Sequence, residues 1–239
     1  MLEGETLRDR LNRGPLTWNK AVEFGAAIAE GLSAAHSKGI IHRDIKPGNI
    51  FLSGEGRVKI LDFGLARWQP KPAEQDHTVT ETEAGKVMGT VGYMSPEQVR
   101  GEQAGAPSDI FSLGVALYEM VAGRRPFSGN SAVENMSAVL TDDPPAMADS
   151  VKTAPVELER VIQRCLAKSA AQRFHSAHDL AFALKGLASG DHAVHIPTYL
   201  HRAYDEHSFM LGFLKVDPAL DPLRSDPRFQ DLLRRMRLQ

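Results

Sequence analysis

Residues 42–67 read HRDIKPGNIFLSGEGRVKILDFGLAR. Two short apolar runs lie within them, NIFLS at 49–53 and RVKIL at 57–61, separated by GEG at 54–56. Branched and aromatic residues on either side of a glycine-containing turn predict a β-hairpin. Such a hairpin folds Asn49 back toward Asp62, although thirteen positions separate them. The same stretch gathers His42, Arg43, Asp44 and Lys46 just ahead of the first strand. Proton-accepting and cationic groups are thereby brought to one end of a small sheet.

Outward from the hairpin the pattern is helical. On the N-terminal side a short helix is predicted over 5–12 and a longer one over 17–38. In the longer one Thr17 stands at the N-cap, Ala21, Phe24, Ile28, Leu32 and Ala35 recur at helical spacing, and Gly39 ends the run. On the C-terminal side residues 65–94 read as a long polar, irregular segment. A loop of that length inside a compact domain is usually functional or disordered. Helices are predicted over 107–122, 131–140 and 156–167, and another starts at Ser176, with Asp179 three residues on, and runs to about Leu187. After the linker-like ASGDHAVHIPT comes a last helix, with Asp226 as N-cap, Pro227 at its first position and Phe229, Leu232, Leu233 and Met236 as its apolar stripe.

Composition narrows the function classes. The chain has 239 residues, 42% of them hydrophobic, enough for one sizeable core, alone or with a small appendage. The formal net charge of −2 points away from a nucleic-acid or anionic-membrane partner. The single cysteine, Cys165, rules out an intramolecular disulfide and suits a reducing, cytoplasmic compartment. It falls among apolar helix positions, as a buried structural thiol would. The opening MLEGETLRDRL has early acidic residues and no apolar core, unlike a signal peptide. IFSLGVALYEMVAG carries Glu119 and reads as a buried core helix rather than a membrane span.

With His42-Arg43-Asp44, Asn49 and Asp62-Phe63-Gly64 in this order and spacing, the sequence resembles the eukaryotic-type serine/threonine protein kinases of bacteria. The resemblance continues through GTVGYMSPEQ, with Ser95-Pro96-Glu97 in place of the commoner Ala-Pro-Glu, and through SDIFSLG, GRRPF and AQRF. It implies transfer of the ATP γ-phosphate to a protein hydroxyl, with ATP and Mg²⁺ as cofactors. Asp44 would orient the substrate hydroxyl, Lys46 support the transferred phosphate and Thr90 bridge the two. Asn49 and Asp62 would hold Mg²⁺, and Phe51 would lie under the adenine. His42 and Phe63 would stack in the spine between the lobes. Asp109 would tie down the backbone of the catalytic loop, and Arg173 would pair with Glu97. Arg43 before the catalytic Asp marks kinases switched by activation-loop phosphorylation, with Thr78, Thr80 and Thr82 as candidate sites.

The resemblance begins in the family's hinge. No G-x-G-x-x-G-x-V loop occurs in these residues, no lysine precedes Lys20, and Glu3 and Glu5 belong to the hinge. The expected fold is therefore mainly α: the helical C-lobe of a kinase with a small β-hairpin, no N-terminal β lobe and a helical C-terminal extension. The expected divisions are 1–187 as the kinase part, 188–200 as linker, and 201–239 as a tail resembling the end of a tetratricopeptide array. The nucleotide face would then lie open, calling for an N-lobe or a partner chain to cover it, and phosphate transfer would be impaired. The alternative is an inactive kinase remnant that serves as a protein-interaction module.

Overall fold

The most apolar stretch of the sequence forms the central element, a helix over Ala106–Ala122 in which every residue from Ser108 to Val121 is buried. A helix apolar on all sides can only be stable inside the protein. In this computed structural model, which describes residues 3–54, 56–62, 91–147, 154–189 and 227–235, it packs against the helices Trp18–His36 and Val156–Cys165. The approach to the second is close. A Cβ on Gly114 would stand 2.5 Å from the Cys165 Cβ, so glycine is what lets the two backbones meet. The Trp18–His36 helix turns Ala21, Val22, Phe24, Ile28, Ala29 and Leu32 inward. Each large apolar side chain so buried is worth about 1.5–3 kcal/mol.

In chain order the elements are β1 (Gly4–Thr6), α1 (Leu7–Leu11), α2 (Trp18–His36), β2 (Ile50–Ser53), β3 (Val58–Ile60), α3 (Pro96–Val99), α4 (Ala106–Ala122), α5 (Ala132–Thr141), α6 (Val156–Cys165), α7 (Ala177–Ser189) and α8 (Pro227–Arg235). The chain divides into two units, Met1–Lys185 and Gly186–Gln239. In the second, α8 carries Arg234 and Arg235 in its last turn, buries Leu233 and pairs Arg234 with Asp231 at 3.7 Å. The proposed N-cap Asp226, Met236 and the linker residues 190–200 lie outside the described residues.

β2 and β3 form the antiparallel hairpin, with Ile50 opposite Ile60 and Leu52 opposite Val58. The sequence reading needs correcting at the other edge. Residues 5–12 are not one helix: β1 pairs antiparallel with β2, Gly4 opposite Ser53 and Thr6 opposite Phe51, giving a three-stranded sheet of order β1-β2-β3. The cause is local. Thr6 stays extended and caps α1, its Oγ1 accepting the Asp9 N–H at 3.1 Å while the Asp9 carboxylate accepts the Thr6 N–H at 3.2 Å. Gly4 has φ +151°, and a Cβ there would stand 2.2 Å from the Leu52 carbonyl oxygen. Thr17 occupies the N-cap of α2 as expected, with an extended backbone and no side-chain cap bond. The Ser176 hydroxyl accepts the Asp179 N–H at 3.1 Å at the start of α7. Among the described residues no helix is long and apolar enough to cross a membrane.

Candidate active site

The loop between α2 and β2 is held from three directions. From α4, the fully buried carboxylate of Asp109 accepts the backbone N–H of His42 at 2.9 Å and of Arg43 at 2.7 Å, and His36 Nε2 lies 2.8 Å away on Oδ2. Asp109 also sits in the first turn of α4, where the helix dipole favours a negative charge. From the hairpin, His42 Nε2 lies 2.8 Å from the Leu61 carbonyl oxygen, and His42 Nδ1 faces the Asp44 N–H at 3.2 Å. One neutral imidazole with its proton on Nε2 satisfies both contacts. From α3, Gln98 Nε2 donates to the Arg43 carbonyl at 2.8 Å.

These bonds hold Arg43 at φ +70°, a left-handed conformation that costs a non-glycine residue about 1–3 kcal/mol. Just beyond Arg43, the Asp44 carboxylate meets Lys46 Nζ at 2.7 Å and Asn49 Nδ2 at 3.0 Å, both through Oδ2. Asn49 Nδ2 also donates to the Asp44 carbonyl at 2.8 Å. With its amide nitrogen so engaged, the side-chain oxygen of Asn49 is the atom left to face a cation. The Leu61 N–H donates to the Asn49 carbonyl at 2.8 Å, so the hairpin register brings Asn49 alongside the residue preceding Asp62. Asp62 is exposed and adopts φ +58°. Phe51 is half-buried on β2, its ring against Gly4.

A second cluster anchors the segment after residue 90. Arg173, with a fully buried side chain, pairs with Glu97 through Nη1 at 2.7 Å and Nη2 at 2.9 Å. It also donates to the carbonyls of Ala167, Pro107 and Lys168, and its guanidinium lies 4.9 Å from the Phe111 ring centre. Ser108 Oγ donates to Glu97 at 2.8 Å. Burial alone would raise the Glu97 carboxyl, but the Arg173 guanidinium, the backbone and Ser108 outweigh it and hold the group down at about 2.

Three features here escaped the sequence reading. Ser95 is more than a small replacement for alanine. Its hydroxyl accepts the Gln98 N–H while Gln98 Oε1 accepts the Ser95 N–H at 3.0 Å, a reciprocal cap for α3. The S-x-x-Q spacing could have shown it. His36, at the end of α2, joins the Asp109 cluster with no signal in its own neighbourhood. Arg8 on α1 pairs with Glu119 on α4 at 2.9 Å, and the Tyr93 hydroxyl donates to the same carboxylate. Burial, and then the Glu119 charge, push the Tyr93 phenol up. No spacing could have joined residues this far apart. Phe63, Gly64, Thr78, Thr80, Thr82 and Thr90 lie outside the described residues.

Among the described residues no cluster of three or more His, Cys, Asp or Glu side chains could hold a metal. One carboxylate and one amide oxygen still fit Mg²⁺, which protein sites commonly hold through one or two carboxylates plus phosphate oxygens.

The sequence profile of the protein kinase domain matches residues 1–182, and the chain belongs to the protein kinase family. It is 41% identical over 191 residues to the serine/threonine-protein kinase drp72 of Corynebacterium efficiens, covering 80% of this chain and 35% of that protein. It is 38% identical over 191 residues to the serine/threonine-protein kinase PknB of Mycobacterium tuberculosis, covering 80% and 30%. To PknA of Corynebacterium glutamicum it is 40% identical over 190 residues, covering 79% and 38%. The matched region thus spans only about a third of the length of these bacterial relatives.

Proposed function

We propose that this chain acts as a serine/threonine protein kinase, moving the γ-phosphate of ATP to the hydroxyl of a protein substrate in the cytoplasm. The observation that carries the reading is the Asp44 carboxylate, met by Lys46 at 2.7 Å and by Asn49 at 3.0 Å, both on Oδ2. Oδ1 is then the oxygen that a substrate hydroxyl proton would reach. Asp44 orients that hydroxyl and takes up its proton as the bond to phosphorus forms and the bond to the departing ADP oxygen breaks. Lys46 would lie against the phosphoryl group in transit, and Thr90 would bridge it to Asp44. Asn49 and Asp62 would hold Mg²⁺, which would supply charge neutralisation at the nucleotide phosphates. Phe51 supports the adenine from the sheet. His42 and Phe63 would stack in the spine between the lobes, and the Asp109 and Glu97–Arg173 clusters support the frame of the site. The exposed Arg43 side chain is suited to pair with a phosphate on Thr78, Thr80 or Thr82.

Positioning supplies most of the catalysis in this chemistry. These 239 residues contain no G-x-G-x-x-G-x-V loop to cover the phosphates and no lysine before Lys20, so phosphate transfer by them alone should be impaired. The cover comes from further sequence or from a partner chain. Residues 1–187 carry the kinase part and 201–239 an array-like tail; of the expected linker 188–200, residues 188 and 189 still belong to α7.

The test is transfer of labelled phosphate from Mg-ATP to an acceptor protein, by the chain and by a version extended with its upstream coding sequence. The extended protein should transfer phosphate, and Asp44→Asn should lower its rate by about 10²–10⁴-fold, the usual share of a proton-accepting group. Equal rates for the extended protein and its Asp44→Asn variant would overturn the reading. Mass spectrometry of the active protein checks the threonines; all three unmodified would remove them as switch sites.

A further inference from the structure

We infer that Gln98 is a positioning residue for the catalytic loop. It couples the helix that ends the acceptor segment to the peptide group immediately before Asp44. The inference rests on the kinase reading of Asp44. Its structural core is the double use of one side-chain amide. Gln98 Oε1 accepts the Ser95 backbone N–H at 3.0 Å and the Ser95 hydroxyl at 3.1 Å, which fixes the amide plane. The other half of the same group, Nε2, is then aimed at the Arg43 carbonyl and donates to it at 2.8 Å.

The target matters because of its conformation. Arg43 sits at φ +70°, and its two peptide groups are gripped from different helices: the N–H by Asp109 on α4 at 2.7 Å, the carbonyl by Gln98 on α3. A left-handed residue of this kind persists only when its surroundings over-determine it. The Arg43 carbonyl belongs to the peptide unit whose nitrogen is that of Asp44. Its orientation therefore sets the direction in which the Asp44 side chain leaves the backbone. Without the Gln98 donor this peptide unit keeps only the longer contact of the Asp44 N–H with His42 Nδ1 at 3.2 Å, and the direction of the Asp44 side chain is less firmly fixed.

An amide is the side chain that does both jobs. A carboxylate at this position would keep the Ser95 contacts but place negative charge against the Arg43 carbonyl. A methionine would keep the length and lose both contacts. Changing Ser95 to alanine removes the hydroxyl's cap and its bond to Oε1 but keeps the backbone Ser95 N–H on Oε1 at 3.0 Å, so the amide is still held toward Arg43. Capping and positioning can therefore be separated experimentally.

The test compares Gln98→Glu, Gln98→Met and Ser95→Ala in the full chain by hydrogen–deuterium exchange, and in the upstream-extended protein by steady-state kinetics. The Gln98 variants should raise exchange in residues 42–46 by about tenfold or more while leaving α2 and α4 protected. They should lower kcat by about tenfold or more with KM for ATP within about twofold. Ser95→Ala should lower thermal stability while leaving exchange in 42–46 and kcat near the parent values. Unchanged exchange in 42–46 in both Gln98 variants would overturn the inference. So would a loop response to Ser95→Ala equal to that of Gln98→Met, which would make Gln98 a capping residue only. Failure of the kinase reading itself shows separately, as equal transfer by the extended protein and its Asp44→Asn variant, and the exchange result decides the coupling in either case.

Discussion

Replacing Arg173 by methionine tests whether the segment carrying Glu97 is held by a buried ion pair or merely by packing. Methionine keeps the apolar stem against Phe111 and removes the fork. Three separate losses follow. Glu97 loses both of its bonds to the guanidinium, at 2.7 and 2.9 Å. The carbonyls of Ala167, Pro107 and Lys168 each lose a donor. A carboxylate with an exposed share of only 12% is left without its countercharge. Removing one partner of a buried pair costs about 3–5 kcal/mol, chiefly through the charge left behind. A domain of this size loses roughly 2–4 °C of Tm per kcal/mol, so 3–5 kcal/mol corresponds to a drop of about 6–20 °C.

The same argument predicts the rescue. Glu97→Gln in the Arg173→Met background removes the stranded charge, so the double variant should be more stable than Arg173→Met alone. Urea unfolding followed by circular dichroism at pH 7 measures all four corners of the cycle, and the coupling should reach about 2 kcal/mol. A loss below about 1 kcal/mol for Arg173→Met, or additive single effects, would refute the reasoning. The pair would then be an ornament on an interface held by Phe111, Leu158 and their apolar neighbours.

Three further outcomes follow from the same structure. Glu97 is held at about 2, below its ordinary 4.5, so its contribution is fully present above about pH 5 and is lost as pH falls toward 2; the urea-midpoint advantage of the parent over Glu97→Gln should shrink across that range, and an advantage independent of pH would contradict it. Lys168 is pushed down to about 8 by burial, against partial opposition from Asp143 and Asp142, while its Nζ donates to the Val139 carbonyl at 2.8 Å; the unfolded chain then binds more protons between about pH 8 and 10, stability rises with pH there, and a lysine ε-methylene NMR titration should show a midpoint near 8 rather than near 10. Burial pushes the Cys165 thiol up to about 12, so a disulfide reagent at pH 8 should label it only after denaturation, and rapid labelling of the native chain would show that α6 does not seal it.

The parts legible in the sequence were those coded locally. The hairpin announced itself through two apolar runs and a glycine turn, α2 through periodicity and α4 through its long apolar run. β1 was not legible: it is three residues long, polar, and defined by partners at 51–53. Its continuation into α1 is marked by Thr6 and Asp9, a capping pair one residue inside the predicted helix. At the candidate site the spacing of His42, Asp44, Asn49 and Asp62 carried the resemblance. The Arg8–Tyr93–Glu119 cluster left no trace in the sequence, because its members meet only once α1 and α4 have packed. Gln98 lies between these cases. Its cap with Ser95 is local and readable, and its reach to Arg43, 55 residues away, is not.

That mixture has a consequence for how the site comes to exist. The local contacts, Asp44 with Lys46 and Asn49, can orient the carboxylate only relative to its own loop. The orientation of the loop itself depends on Asp109, 67 positions beyond His42, on Gln98, and on Leu61 past the hairpin. Of these, Asp109 is carried by α4 and reaches the loop only when α4 packs against α2. The left-handed Arg43 is thus a strain imposed by the completed core, and it offsets a small part of the burial energy that α4 supplies. The site cannot form ahead of the fold, and the loop cannot relax while the core holds. This explains where the buried polarity lies: Asp109 and His42 hold the loop, Ser108, Glu97 and Arg173 hold the segment after residue 90, and each carboxylate among them meets more than one donor. An apolar core of the same volume would hold the helices together equally well, but only directional bonds can fix which way a peptide carbonyl points.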